Sequence, residues 1–109
     1  MEELDTDETG FSVEQSDDSH GDPVVRLNGE LDISSAAAFR EAMEELVGKQ
    51  PGRLVFDLSQ LTFMDSSGIA VMVYVANNVK KVELLHASSI VRRVVEATGL
   101  SDILRLEPS

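Results

Sequence analysis

The chain has 109 residues, 20 acidic side chains against 9 basic ones, a formal charge of −11 and no cysteine. That length supports one hydrophobic core, which excludes an enzyme with separate cofactor and substrate domains, and the cysteine count excludes disulfides, thiolate nucleophiles and zinc–thiolate sites. Residues 1 to 22 hold nine carboxylates and no Lys or Arg, so the other 87 residues are close to neutral and lack the basic stripe that nucleic-acid binding needs.

The opening MEELDTDETG has neither a basic nor an apolar stretch of the kind that targets a chain for export. Residues 1–9 read as an acidic disordered tail and 10–109 as a single domain. The longest apolar run, Ile69 to Ala76, is eight residues, against the roughly 20 of a membrane-spanning helix. The expectation is a cytoplasmic protein with no membrane partner.

Phe11 and Val13 alternate with polar neighbours and predict a short edge strand from Gly10 to Gln15, followed by a turn over Ser19 to Pro23. Pro23 to Gly29 reads as a second strand, ending at Asn28-Gly29 and able to form a hairpin with the first. From Ser34 the period changes. Phe39, Ala42, Met43, Leu46 and Val47 share one helical face, with Ser34 or Ser35 as cap and Gly48 as terminator. Arg53 to Asp57 is a compact apolar run typical of a strand covered on both faces.

The segment from Ser66 to Val79 supports two readings. Its β-branched residues favour a strand, with Asn77-Asn78 turning a hairpin into Val79–Leu85. Asp65-Ser66-Ser67-Gly68 instead offers side chains that accept hydrogen bonds from the free N–H groups of a first helical turn. Beyond it, Val82 to His86 is another apolar stretch. Ser88-Ser89 opens a helix carrying Ile90, Val91, Val94, Val95 and Thr98, Gly99 ends it, and Ile103 to Leu106 is a last strand.

The stretch from Leu54 to Ile69, with Asp57 and Asp65-Ser66-Ser67-Gly68, resembles the signature of STAS domains, specifically the bacterial anti-sigma factor antagonists. Gly29-Glu30-Leu31-Asp32 and Thr98-Gly99-Leu100 match two further family elements, so the resemblance spans about residues 11 to 107. It implies an α/β fold: a single domain with a mixed, mostly parallel sheet of four to five strands and helices packed on it. It also implies that Ser66 to about Asn78 is a helix. One departure is the crossing to the next strand, which Asn77 to Lys81 must make without the family's longer helix and glycine-containing loop.

The resemblance further implies a regulatory, non-enzymatic role. The unmodified protein binds an anti-sigma factor that is also a serine kinase and so frees a sigma factor, and phosphorylation at Ser66 ends the binding. A serine phosphatase is a further expected partner, and no cofactor or metal is expected. Asp32, Asp65, Ser67, Gly68 and Ile69 are expected to support the phosphosite and contact the partner. The alternative is a STAS module that binds another protein or a small ligand without phosphorylation, with Ser66 only a helix cap. Asp57 closes a strand rather than holding a metal ion; a phospho-accepting receiver domain would want an acidic pair after its first strand and a lysine near the end of a late strand, whereas Lys80 and Lys81 precede their strand. Met43, Met64 and Met72 are expected in the core, and His86 has no recognisable catalytic companions.

Overall fold

The computed structural model describes residues 10–107; the acidic stretch 1–9 lies outside them. Eight elements follow in order among the described residues: β1 (Ser12–Asp17), β2 (Pro23–Leu31), α1 (Ala36–Val47), β3 (Arg53–Met64), α2 (Ser66–Asn78), β4 (Lys81–Leu85), α3 (Ser89–Ala97) and β5 (Arg105–Leu106). They form one five-stranded sheet in the order β1-β2-β3-β4-β5. β1 runs antiparallel to β2 as the expected hairpin, and every other neighbouring pair is parallel, joined by a helical crossover through α1, α2 or α3.

Central burial explains the apolar run at the start of β3. Leu54, Val55 and Phe56 are all buried in succession, which requires cover on both faces of the sheet. On one side Phe39 of α1 stands edge-on to Phe56 and to Phe11, with ring centroids 5.8 and 6.0 Å apart. Met43, Met64 and Met72 are all buried in the same core. Arg40 on α1 lies 4.3 Å above the Tyr74 ring of α2, joining the two helices at the surface.

Both central strands run further than their sequence pattern predicts. β2 continues through Asn28-Gly29 to Leu31, and β3 continues past Asp57 to Met64. The reason is a pair of register shifts between the strands, one between Arg26 and Asn28, the other between Gly29 and Glu30. Each shift places an extra β3 residue opposite β2, so Leu58, Leu61 and Met64 reach the core at every third position. That spacing is neither a strand's nor a helix's, and alternation alone cannot reveal it. Gly29 takes φ +96° at the second shift, and a Cβ there would lie 2.5 Å from the Gly10 carbonyl oxygen, so no other residue fits.

Ser66 to Asn78 is a helix, and the strand reading from propensity fails there. Gly68, Ile69, Val71, Met72 and Val75 are buried at helical spacing, while Val73, Tyr74 and Ala76 pack partly against the core. Apolar neighbours on several sides mask the period, and burial outweighs the intrinsic preference of β-branched residues. Asn77 and Asn78 are its last residues rather than a hairpin turn, and the Asn78 side-chain amide donates to the Tyr74 carbonyl at 2.9 Å.

Two strand boundaries are also corrected, and α1 starts after Ser35 and ends before Gly48 as expected but without the expected cap geometry. β1 occupies Ser12–Asp17 rather than Gly10 to Gln15, because its register follows β2 from Pro23 to Asn28. Neither Ser34 nor Ser35 caps α1 through its side chain: the Ser35 hydroxyl accepts from Asp32 N–H and donates to the Glu30 carbonyl instead. Gly48 follows α1 in ordinary helical conformation, and Gln50 takes the left-handed position. The last strand is only Arg105–Leu106, since Ile103 and Leu104 turn back onto the Leu100 carbonyl. α3 begins as expected, with the Ser88 hydroxyl accepting from Val91 N–H.

Candidate functional site

The extended end of β3 delivers the chain directly into α2. Asp65 is the N-cap residue, with φ −114° and ψ −170°, and its carboxylate accepts a 2.8 Å hydrogen bond from Ser67 N–H. Its main-chain carbonyl accepts from Gly68 and Ile69 at 3.1 and 3.3 Å. Ser66 therefore sits at the first helical position, exposed, with the capping work done by its neighbour. The positive end of a 13-residue helix lies beneath its hydroxyl.

Register brings the second expected segment to the same place. Leu31 and Met64 pair at the ends of β2 and β3, and Asp65 N–H donates to the Leu31 carbonyl at 3.1 Å. Asp32 follows Leu31 at once, so the turn into α1 and the start of α2 are adjacent. The Asp32 carboxylate accepts from Ser34 N–H at 2.9 Å and from its hydroxyl at 2.6 Å. Those bonds from Ser34, working against partial burial, hold the Asp32 carboxyl below its usual range, so it stays charged.

The other expected residues divide by burial. Ser67 is half-buried and held by its N–H in the cap. Gly68 and Ile69 are buried and face the core, so they seat the helix rather than offer contact surface. A Cβ on Gly68 would lie 2.6 Å from both Cγ and Cδ2 of Leu31 and 3.0 Å from Met64 Cγ, so glycine here permits close approach of helix to sheet. His86 is exposed, and Asp57 ends the part of β3 paired with β4, accepting from Ser59 N–H at 3.0 Å.

Two features escaped the sequence reading. Segments 27–39 and 58–79, which include the ends of β2 and β3 and the start of α2, contain Glu30, Asp32 and Asp65 but no Lys or Arg. Ile33 and Phe63 are exposed apolar side chains within the same segments. At the opposite end of β3, Arg53 Nη1 donates to Asp18 and Asp22 at 2.9 and 3.1 Å, while Nη2 donates to the buried Glu83. An acid inside an apolar stretch next to an arginine on the neighbouring strand was the available signal.

The STAS domain model matches residues 12–109. The chain belongs to the STAS domain family. It is 33% identical over 92 residues to the anti-sigma-F factor antagonist RsfB of Mycobacterium tuberculosis (strain ATCC 25618 / H37Rv), covering 82% of this chain and 75% of that protein. The fold matches the crystal structure of an anti-sigma factor antagonist from Mycobacterium paratuberculosis with a TM-score of 0.85 and 25% identity, over 95% of this chain and 91% of the other. It also matches the Bacillus cell fate determinant SpoIIAA in its phosphorylated form, with a TM-score of 0.67 over 89% of this chain and 92% of that one; at 22% identity that likeness concerns the fold. This STAS domain thus carries its Asp65-Ser66-Ser67-Gly68 element where the chain enters α2.

Proposed function

We propose that this STAS domain is an anti-sigma factor antagonist in a partner-switching pathway, with Ser66 as the phosphorylated residue. Its unmodified form binds an anti-sigma factor with serine kinase activity and releases a sigma factor. Phosphorylation blocks the binding, and a serine phosphatase restores it. The role is one of binding in the cytoplasm, without a cofactor of its own.

The exposed hydroxyl at the first position of α2, left free of capping duty by Asp65, is the observation that carries this reading. A kinase must bring the terminal phosphate of its nucleotide to that hydroxyl. A phosphoserine there adds about −1.5 to −2 charges and three acceptor oxygens. Asp65 and the adjacent Asp32 already make the local field negative, and the nucleotide phosphates of the kinase occupy the space the new group needs. Binding is lost through repulsion, crowding and the cost of desolvating the phosphate, while the helix N-terminus tolerates the modification. Coupling of about 1–3 kcal/mol, roughly 5–150-fold in affinity, is typical of such linked equilibria and is enough to reverse a competition between partners.

The test is to incubate the purified chain with ATP and each purified anti-sigma factor of its source organism, then map phosphate by mass spectrometry. Phosphate confined to Ser66, absent in Ser66→Ala, with Ser66→Ala binding and Ser66→Asp not binding, supports the switch. Equal binding by both variants and no phosphate with any anti-sigma factor would replace it with a constitutive STAS interaction module.

A further inference from the structure

We propose that Ile33 and Phe63 are the apolar anchors by which the unphosphorylated protein grips its partner, and that the partner offers an apolar pocket edged by Lys or Arg side chains. The inference rests on the antagonist reading above and adds the residues that carry affinity and the chemistry of the surface they meet.

Ile33 is 82% exposed and Phe63 42% exposed, although Ile and Phe are among the residues a fold most readily buries. Neither belongs to the core, and both lie beside the switch. Ile33 directly follows Asp32 in the turn after β2; Phe63 precedes Asp65 by two residues and pairs with Glu30. The end-to-end pairing of Leu31 with Met64 fixes both at the end of the sheet where Ser66 is exposed. A turn tied by the Asp32–Ser34 bonds gains nothing from a solvated isoleucine, and the exposed edge of β3 gains nothing from a solvated phenylalanine. An apolar residue framed by polar ones is the composition of an interface centre with its rim.

Charge selects the occupant. Glu30 pairs with Phe63, Asp32 precedes Ile33 and Asp65 follows Phe63 by two residues, and segments 27–39 and 58–79 supply no compensating base. A second copy of this chain would set acid against acid, so self-association through this face is disfavoured. A partner with basic side chains opposite Glu30 and Asp32 gains both steering and register. Those bases stand at the rim, away from the hydroxyl of Ser66, where the kinase nucleotide lies. Phosphorylation then acts on a contact whose apolar half is unchanged, which lets a single group switch it.

The experiment titrates the full chain, without ATP, into each purified anti-sigma factor of the source organism by calorimetry, and follows the association rate by stopped flow for the one that binds. For the one that binds, Ile33→Ser and Phe63→Thr each weaken affinity by about tenfold to a hundredfold, as interface hot spots do. Ile33→Leu and Phe63→Leu restore most of it, thermal midpoints stay at the wild-type value, and Glu30→Lys slows association in low salt. Ile33→Ser and Phe63→Thr both binding within about threefold of wild type, with Ser66→Asp still abolishing binding, overturns the anchors and leaves the antagonist reading standing. An unchanged association rate for Glu30→Lys overturns the basic rim. Failure of the wild-type chain to bind any of these anti-sigma factors removes the antagonist reading and the anchors together. A wild-type dimer in sedimentation that Ile33→Ser dissolves overturns the assignment to a different protein.

Discussion

The main-chain N–H of Asp65 donates to the carbonyl of Leu31 at 3.1 Å, so the end of β2 and the first residue before α2 are one hydrogen-bonded unit. Asp65 also caps α2 through Ser67 N–H. Ser66 is therefore positioned by two strands as well as by its own helix.

Asp65→Ala removes the cap and leaves Ser67 N–H without its acceptor. The expected loss is about 1 kcal/mol of unfolding free energy. Asp65→Asn keeps an accepting oxygen and recovers most of it. Urea denaturation of the three proteins checks this. Equal midpoints for Asp65→Ala and wild type would show that the cap contributes little here.

Ser66→Asp separates function from stability. An acidic residue in the first turn of a helix interacts favourably with its dipole, by about 0.3–1 kcal/mol at an exposed site. The variant is expected to melt at or slightly above the wild-type temperature while losing the anti-sigma factor. Loss of binding together with a lowered melting temperature would mean that the substitution damages the fold instead of mimicking phosphate.

Gly68→Ala places a methyl group against Leu31 Cγ and Cδ2 and Met64 Cγ. Helix propensity favours alanine, but the crowding sits on a branched carbon of a buried side chain, so repulsion wins. A net cost of about 1–3 kcal/mol is expected, measured by chemical denaturation. A neutral result would show that Leu31 can change rotamer without loss.

Acid sensitivity comes from the other end of β3. Burial alone pushes Glu83 up, but the hydrogen bond and charge of Arg53, with the charge of Lys81, outweigh it and hold the carboxyl below its usual range. Asp18 is held low chiefly by the Asp22 and His20 main-chain N–H groups, with Arg53 adding to them. A carboxyl with a depressed folded-state pKa binds fewer protons folded than unfolded, so its contribution is complete above the unfolded value of about 4 and fades as pH falls below it. Stability is expected to be flat from neutral pH to about pH 5 and to decline below that. Arg53→Ala is expected to cost about 1–2 kcal/mol at neutral pH and to flatten the acid decline. An equal decline in both proteins would place the responsible carboxylates elsewhere.

Legibility in the sequence followed the physics of each segment. α1 and α3 were readable because one face meets the core and the other meets water, as Phe39, Met43 and Leu46 or Val91 and Val95 show. α2 was not readable from period or propensity, since apolar neighbours surround Ile69 to Ala76; the Asp65-Ser66-Ser67-Gly68 element pointed to it. The far half of β3 was hidden by the two register shifts, which give Leu58, Leu61 and Met64 a spacing of three. Burial of Gly68 and Ile69 and exposure of Ile33 and Phe63 depend on how β2, β3 and α2 meet, which no short stretch encodes.

One strand carries both the arginine cluster and the approach to Ser66, Arg53 at its first residue and Met64 at its last. Twelve residues of pleated backbone put roughly 35–40 Å of chain between those ends. Substitutions around Arg53 are therefore expected to tune how long the protein survives in acid, far along the strand from Ser66. On the proposed function, exchange of the exposed Ser66 itself changes partner choice at little cost to the fold, whereas Asp65 and Gly68 beside it also hold the helix in place. A lineage of such proteins is free to adapt to a new habitat and to a new signal independently, through residues at opposite ends of the same strand.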